Sequence, residues 1–376
     1  MLASSILSYN TSLLQFQKRL LGWFSIHQRN LPWRQTNDPY CIWVSEVMLQ
    51  QTRVNTVIDY YHRFLDKFPT IKHLADADLD DVLKIWEGLG YYARARNLKR
   101  AAEIVVFELE GCIPNNYRQF QQLPGVGDYI ASAVQSIAFG KPVAAVDGNV
   151  KRVLARLYRR TEPTNVAKFN KIFQELADKL LVTNQPGTHN QALMELGAMV
   201  CRPKSPTCLV CPVQNSCDAH QKLEVGLFPV RQAKKKRPEQ RLVSSIFINC
   251  NNEVLVVQRP LKGLLGGLWE FPNHHIGQSA DLVRACKELA VDLFNIKEVS
   301  YSLTYLTQIK HAYTHFQVVV DVFFCYLSTD PSLQALDFKN WTSAQWKTIE
   351  ELDQLALTGI SNKLIPILKK SSHLNS

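Results

Sequence analysis

The stretch Leu123-Pro-Gly-Val-Gly-Asp128 sits between two helical patterns, and its reading decides the first half of the chain. Pro124 presets a turn, and Gly125 and Gly127 let the backbone approach a partner closely. The next helix is expected to start near Tyr129, with its first N–H groups unpaired. A hairpin of this kind can offer amides to a phosphate without side-chain charge. The same six residues also suit an ordinary helix–helix turn, so their surroundings must discriminate.

Those surroundings are helical. Val150, Val153, Leu154 and Leu157 share one helical face, as do Leu79, Val82, Leu83 and Trp86. Asn37-Asp-Pro39, Pro69, Gly111 and Pro124-Gly125 separate the helices. Residues 1–222 therefore read as a mainly α region. Composition then shifts. Arg231, Lys234, Lys235, Lys236, Arg237 and Arg241 face a single acid, Glu239, which suits an exposed basic linker over 223–241. Beyond it, β-branched and aromatic runs at 243–249, 254–258, 301–307 and 316–327 suit strands. Residues 282–294 have helical spacing, and a closing helix is expected over 349–368. The segment 242–376 reads as an α+β domain.

The chain has 376 residues, 46% of them apolar, and a formal charge of +10. It can bury two cores, which excludes a disordered chain. The charge suits nucleic acid or an acidic surface, and equally plain solubility. No run reaches the roughly 18 apolar residues of a membrane span. Residues 1–21 lack a charged start, an apolar core and a cleavage site, so no signal peptide is expected.

Of nine cysteines, Cys41, Cys112, Cys250, Cys286 and Cys325 are scattered, and most are expected as buried free thiols. The other four read Cys201-x6-Cys208-x2-Cys211-x5-Cys217. With no export signal, such a cluster favours a metal over disulfides. Zinc ribbons usually carry two C-x-x-C pairs; a single pair with outer ligands at six and five residues suits an iron–sulfur cubane better and leaves zinc open. Four protein ligands leave no position for substrate, so the expected role is to pin a loop carrying Arg202 and Lys204.

Two acids draw attention. Asp147 precedes Gly148-Asn149 and a helix, where an anion is favoured and where an N-cap is the simplest role. Glu46 has Ile42, Trp43, Leu49 and Gln50 as helical neighbours and no Lys or Arg one turn away. Desolvation there raises the pKa, unless the side chain points to solvent. One acid kept protonated beside one kept ionised is the division of labour that glycosidic cleavage needs.

The hairpin, Asp147 and the cysteine spacing together resemble the helix-hairpin-helix DNA glycosylases related to endonuclease III. Leu31-Pro-Trp-Arg34, Ser45-Glu-Val-Met-Leu-Gln-Gln-Thr52, Gly88-Leu-Gly-Tyr-Tyr-Ala-Arg94 and Val146-Asp-Gly-Asn-Val150 narrow this to the MutY family of adenine-removing enzymes. The resemblance implies a six-helix barrel with an iron–sulfur lobe, a 4Fe–4S cluster on Cys201, Cys208, Cys211 and Cys217, and a flipped adenine. It implies Glu46 as proton donor to the base and Asp147 as the partner of the cationic sugar, with Tyr129 and Asn149 in support. Gln51 and Tyr91 match residues that wedge into the duplex; Arg34, Gly125 and Gly127 are expected at DNA. Bifunctional relatives carry a Lys where Tyr129 stands, and a phenol forms no Schiff base. A monofunctional enzyme is therefore expected.

The second domain resembles the Nudix-like domain of the same family. Around 277–294 only Glu288 lies in the helix, so the acidic set that holds Mg²⁺ is missing. Tyr313, Thr314 and His315 match the loop that senses 8-oxoguanine, with Thr314 where Ser is common. The implied partner is duplex DNA with adenine opposite 8-oxoguanine or guanine, met by a monomer on the nucleoid in bacterial cytoplasm. The competing readings are a bifunctional pyrimidine-lesion lyase, a non-catalytic iron–sulfur DNA-binding protein, and a nucleotide hydrolase in the second half.

Overall fold

The structure is a computed structural model that describes residues 2–233, 237–277, 280–294, 301–328 and 340–371. Lys234, Lys235 and Lys236 of the expected linker lie outside the described residues. The helices are α1 Leu2–His27, α2 Pro39–Leu49, α3 Val54–Lys67, α4 Ile71–Asp76, α5 Leu79–Ile85, α6 Ala93–Glu108, α7 Tyr117–Gln121, α8 Asp128–Ile137, α9 Gly148–Leu157, α10 Asn170–Leu180, α11 Pro186–Met199, α12 Asp218–Gln221, α13 Leu282–Phe294 and α14 Gly359–Leu368. No helix among the described residues is long and apolar enough to cross a membrane.

The chain divides into two compact units, Met1–Ala75 with Arg100–Lys234, and Asp76–Lys99 with Lys235–Ser376. In the first, α9 buries Val150, Val153, Leu154 and Leu157 as its spacing predicts. They pack with Phe16, Leu20 and Phe24 of α1 and Leu193 and Leu196 of α11. Each such side chain contributes roughly 1.5–3 kcal/mol by leaving water. Helix α2 begins with Pro39 at its first position and Asp38 accepting from Tyr40 N, the arrangement that suits a helix start. It is buried nearly all round, from Ile42 through Met48, which marks an interior helix. Glu46 is carried into the core by that burial.

The second unit holds a seven-stranded sheet: β1 Glu239–Ile248, β2 Val254–Gln258, β3 Trp269–Glu270, β4 Asn273–Ile276, β5 Tyr301–Ala312, β6 Gln317–Leu327 and β7 Ser343–Lys347. The order is β3-β2-β1-β6-β5, with β4 on β1 and β7 on β2. β1 and β6 run parallel; the other pairs are antiparallel. Strand alternation sends Val318, Val320, Val322 and Phe324 of β6 to the α14 side, with Leu364 and Leu368. Cys325 and Leu327 go to the opposite side, with Leu289 and Leu293 of α13. A strand buried on both faces reads as the continuous apolar run seen in the sequence.

Three expectations change. Of the scattered cysteines only Cys286 and Cys325 are buried; Cys41 is half-buried, and Cys112 and Cys250 are exposed. The strand expected at 301–307 runs to Ala312, because pairing with β6 persists to Gln317. The closing helix expected over 349–368 is broken. Ala356 and Thr358 bond through their backbones to Trp269, forcing an extended stretch. Thr358 then caps α14 by accepting from Ser361 N. Such a cap is worth about 1 kcal/mol.

Candidate active site

Helices α2, α8 and α9 bring three of the expected groups together. Tyr129, second residue of α8, donates from its hydroxyl to Glu46 Oε2 at 2.6 Å. Glu46 is 5% exposed. Burial pushes its carboxyl up to about 7; the bond from Tyr129 and the Arg34 charge oppose the rise, and the charge of Asp147 adds to it. Asp147 caps α9: Oδ1 accepts from Val150 N at 2.7 Å and Oδ2 from Asn149 Nδ2 at 2.8 Å. Burial raises this carboxyl too, against the pull of Val150, Asn149 and Arg152. The split between the acids is narrower than the sequence suggests. Its direction follows from the donors: Asp147 collects two N–H donors, and Glu46 has one phenol. Those donors favour the anion of Asp147 over that of Glu46.

Side chains that the sequence did not flag hold this constellation. Arg152 donates to Asn149 Oδ1, Gly197 O and Cys201 O, each at 2.8 Å. Gly197 is required there, since a Cβ would stand 2.7 Å from that of Asn149. Glu195 on α11 is almost fully buried and accepts from both Arg29 and Arg34. Burial works to raise Glu195, yet the hydrogen bonds from Arg29 and Arg34 win and hold it at about 2. Arg34, expected at DNA, has its guanidinium turned onto Glu195, Gln191 and the Arg29 carbonyl. Glu195 lies 166 positions from Arg29 and 161 from Arg34, so no local pattern could reveal these pairs.

The hairpin adopts the expected turn. Gly125 has φ +78°, a conformation suited to glycine, and Val126 N returns to Leu123 O. A Cβ at Gly127, the N-cap of α8, would meet only open space. Gln51 is exposed, just beyond α2, with φ +59°. A non-glycine residue in the left-handed region stores strain of the kind found at functional sites.

In the second unit, Tyr91 has φ +49° and is 41% exposed. Its hydroxyl pairs with Thr314 Oγ1 at 2.8 Å. Thr314 and the exposed His315 form the tip of the β5–β6 turn, closed by Tyr313 N on Phe316 O. A residue expected to wedge into the duplex therefore touches one expected to sense 8-oxoguanine.

Cys201, Cys208, Cys211 and Cys217 are free thiols of intermediate burial. Among the described residues no group of three or more His, Cys, Asp or Glu side chains is arranged to hold a metal ion. The donor chemistry nevertheless fits a thiolate-bound group. Burial raises the pKa of Cys211, and Cys201, Cys217 and Cys208 lie near enough to add to the rise, a cost to the thiolate that a bound cation would offset. Arg156, itself buried, donates to Cys201 Sγ at 3.2 Å and to Arg202 O at 2.8 Å.

Residues 44–179 match the HhH-GPD superfamily of base excision DNA repair proteins, and residues 243–366 match the NUDIX domain. An adenine DNA glycosylase of Rattus norvegicus is 34% identical over 94% of this chain and 78% of its own length. One of Buchnera aphidicola subsp. Baizongia pistaciae is 35% identical over 69% of this chain and 74% of its own. A solved thermostable thymine-DNA glycosylase is 31% identical, with TM-score 0.53, covering 57% of this chain and 99% of its own.

Proposed function

This chain belongs to the adenine DNA glycosylase family, and from that membership we propose that it is monofunctional, releasing adenine paired with 8-oxoguanine or guanine and leaving an abasic site. It is a DNA glycosylase of base excision repair that acts on DNA. The observation that carries the proposal is the Tyr129–Glu46 bond at 2.6 Å, beside an Asp147 held by Val150 and Asn149.

Tyr129 donates to Oε2, which leaves Oε1 to carry the Glu46 proton. A carboxyl of pKa about 7 holds that proton near neutrality and can pass it to the departing base. Protonation draws electrons from the glycosidic bond and leaves positive charge on the sugar. Asp147, fixed by two donors and braced through Asn149 by Arg152, supplies the opposing charge without reorganising. With the proton spent, Glu46 is an anion able to orient water. Tyr129 lacks the amine that Schiff-base chemistry needs.

The four cysteines would hold a 4Fe–4S cluster, which when bound cross-links the loop from Cys201 to Cys217 and carries no step of the reaction. Gln51, Tyr91, Gly125, Gly127 and the turn of Tyr313, Thr314 and His315 are proposed to meet the duplex, the turn reading the base opposite adenine. The domain limits proposed are 1–222, 223–241 and 242–376. A monomer at work on the nucleoid is part of the same reading; the charge of +10 suits contact with DNA phosphates.

The test is adenine release from duplexes with adenine opposite 8-oxoguanine, guanine and thymine. Release from the first two with the strand intact is expected. Equal release opposite thymine would remove the mispair assignment, and strand cleavage before alkali would remove the monofunctional one.

A further inference from the structure

Tyr91 lies on a loop laced to itself. Gly88, Gly90 and Tyr91 all have positive φ. Trp86 Nε1 donates to Gly90 O, Gly88 N to the Tyr92 hydroxyl, and Arg94 to Leu89 O and Gly90 O. A loop so bonded moves as one piece. Its attachments to the rest of the unit therefore decide where Tyr91 stands.

Among those attachments are charged side chains on either side of the loop. Asp80 accepts from Gln258, Lys84 donates to Leu355 O, and Arg96 donates to Gly266 O. Glu87, immediately before Gly88, makes the tightest set. Its Oε1 accepts from Leu357 N at 3.0 Å and Asn362 Nδ2 at 2.7 Å, and its Oε2 from Lys84 Nζ at 2.6 Å.

The path from those partners returns to Tyr91. Leu357 and Asn362 flank the start of α14. Gly359 there lies against the His311 ring, where a Cβ would stand 2.9 Å from the ring. Lys363 donates to Lys310 O. His311 packs on Tyr313 at 4.6 Å between centroids, and the next residue, Thr314, bonds Tyr91 at 2.8 Å. Glu87 thus closes a ring of contacts whose far side is the Tyr91–Thr314 bond.

We infer that Glu87 is a positioning residue that sets the register between Tyr91 and Thr314 and, through it, the preference for 8-oxoguanine opposite adenine. The inference rests on the proposed reading of the Thr314 turn. A carboxylate in this place gathers three donors at once. An apolar side chain there leaves Leu357 N and Asn362 without that acceptor and Lys84 without its ion pair, which frees the loop from the start of α14.

The experiment uses the whole protein and measures kcat/KM for adenine release opposite 8-oxoguanine and opposite guanine, with a thermal melt of each variant. Glu87→Ala is expected to lower the ratio of the two by roughly tenfold, the equivalent of one charge-assisted hydrogen bond, mainly through KM on the 8-oxoguanine duplex. Glu87→Gln keeps a carbonyl oxygen for Leu357 and Asn362 and should recover most of the ratio. Glu87→Ala combined with Thr314→Ala should be no worse than Thr314→Ala alone, because both act on one contact. Equal loss on both duplexes, or additive losses in the double variant, would overturn the inference. An undiminished ratio in Thr314→Ala would instead overturn the reading of the turn, and the role of Glu87 with it.

Discussion

Tyr129 and Glu46, 83 positions apart in the chain, are joined by a single phenol-to-carboxylate bond of 2.6 Å between two helices. The phenol supplies a donor without supplying a charge. Burial can therefore keep the carboxyl protonated to about 7, where a lysine in the same place would ionise it. One residue identity thus controls both the protonation of the acid and the absence of an amine nucleophile.

The pH profile follows from that pair. Base release under single-turnover conditions should be full below pH 7 and fall as pH rises through about 7, as Glu46 loses its proton. Tyr129→Phe removes the bond that lowers the Glu46 pKa, so the alkaline limb should move to higher pH. A limb that stays or moves down would separate Glu46 from the proton transfer. Glu46→Gln should lose about 10²–10⁴-fold in rate, the range for a general acid. It should also gain stability at pH 8. The Glu46 pKa is raised on folding from 4.5 to about 7, so its ionisation costs stability that grows as pH climbs through that interval.

Asp147→Asn separates charge from capping. Asparagine caps a helix about as well as aspartate, so α9 should keep its start and the melting temperature should change little. The negative charge opposite the developing cation is gone. Base release should fall by about 10²–10³-fold, the scale of one lost electrostatic contact in a closed site, while affinity for mispaired duplex is retained. Wild-type release by this variant would exclude Asp147 from the chemistry.

The reach of the sequence can be judged on these residues. Glu46 and Asp147 stand out in short local patterns, an acid on an apolar helix and an acid before a helix, while Tyr129 is singled out only by the family resemblance. Arg152 does not stand out, although it holds Asn149, because its other partners are carbonyls at Gly197 and Cys201 that no side-chain pattern advertises. Helix α5 shows the limit most plainly. Its stripe of Leu79, Val82, Leu83 and Trp86 announces a buried face, and periodicity cannot say against what. The structure sets Leu83 within 3.0 Å of where a Cβ on Gly267 would be. The strands β3 and β4 span two and four residues, too short for alternation to register, and β7, Ser343–Lys347, carries no β-branched run.

Glu195 offers a prediction that belongs to stability. Its almost fully buried carboxylate accepts from Arg29 at 2.7 Å and Arg34 at 3.0 Å. Glu195→Gln leaves two guanidinium groups beside a neutral amide, and loss of one partner in a buried pair costs about 3–5 kcal/mol. The folded pKa is depressed from 4.5 to about 2, so this contribution is complete above 4.5 and is lost as pH falls toward 2. Acid unfolding of the wild type should steepen in that window, and the variant should lack the step. Urea unfolding at pH 7 measures the first effect; an unchanged midpoint would show that the pair is not structural.

The cysteine loop carries the last prediction. Arg156 binds Cys201 Sγ and the carbonyl beyond it, and Arg152 binds the Cys201 carbonyl, so the loop reaches α9 through two arginines. Purified protein should hold about four irons with matching sulfide, the content of one cubane. Zinc in their place would restore the alternative that the spacing leaves open. Cys217→Ser should lower iron content and melting temperature together, since a metal that binds only the folded form adds its binding energy to stability. Base release by the folded protein that remains should keep the wild-type pH profile, because the proposed chemistry runs on Glu46 and Asp147 and not on the cysteines. A shifted profile in Cys217→Ser would mean that the loop tunes the two acids through Arg152 and Asn149, and that its part in the reaction extends past holding the fold.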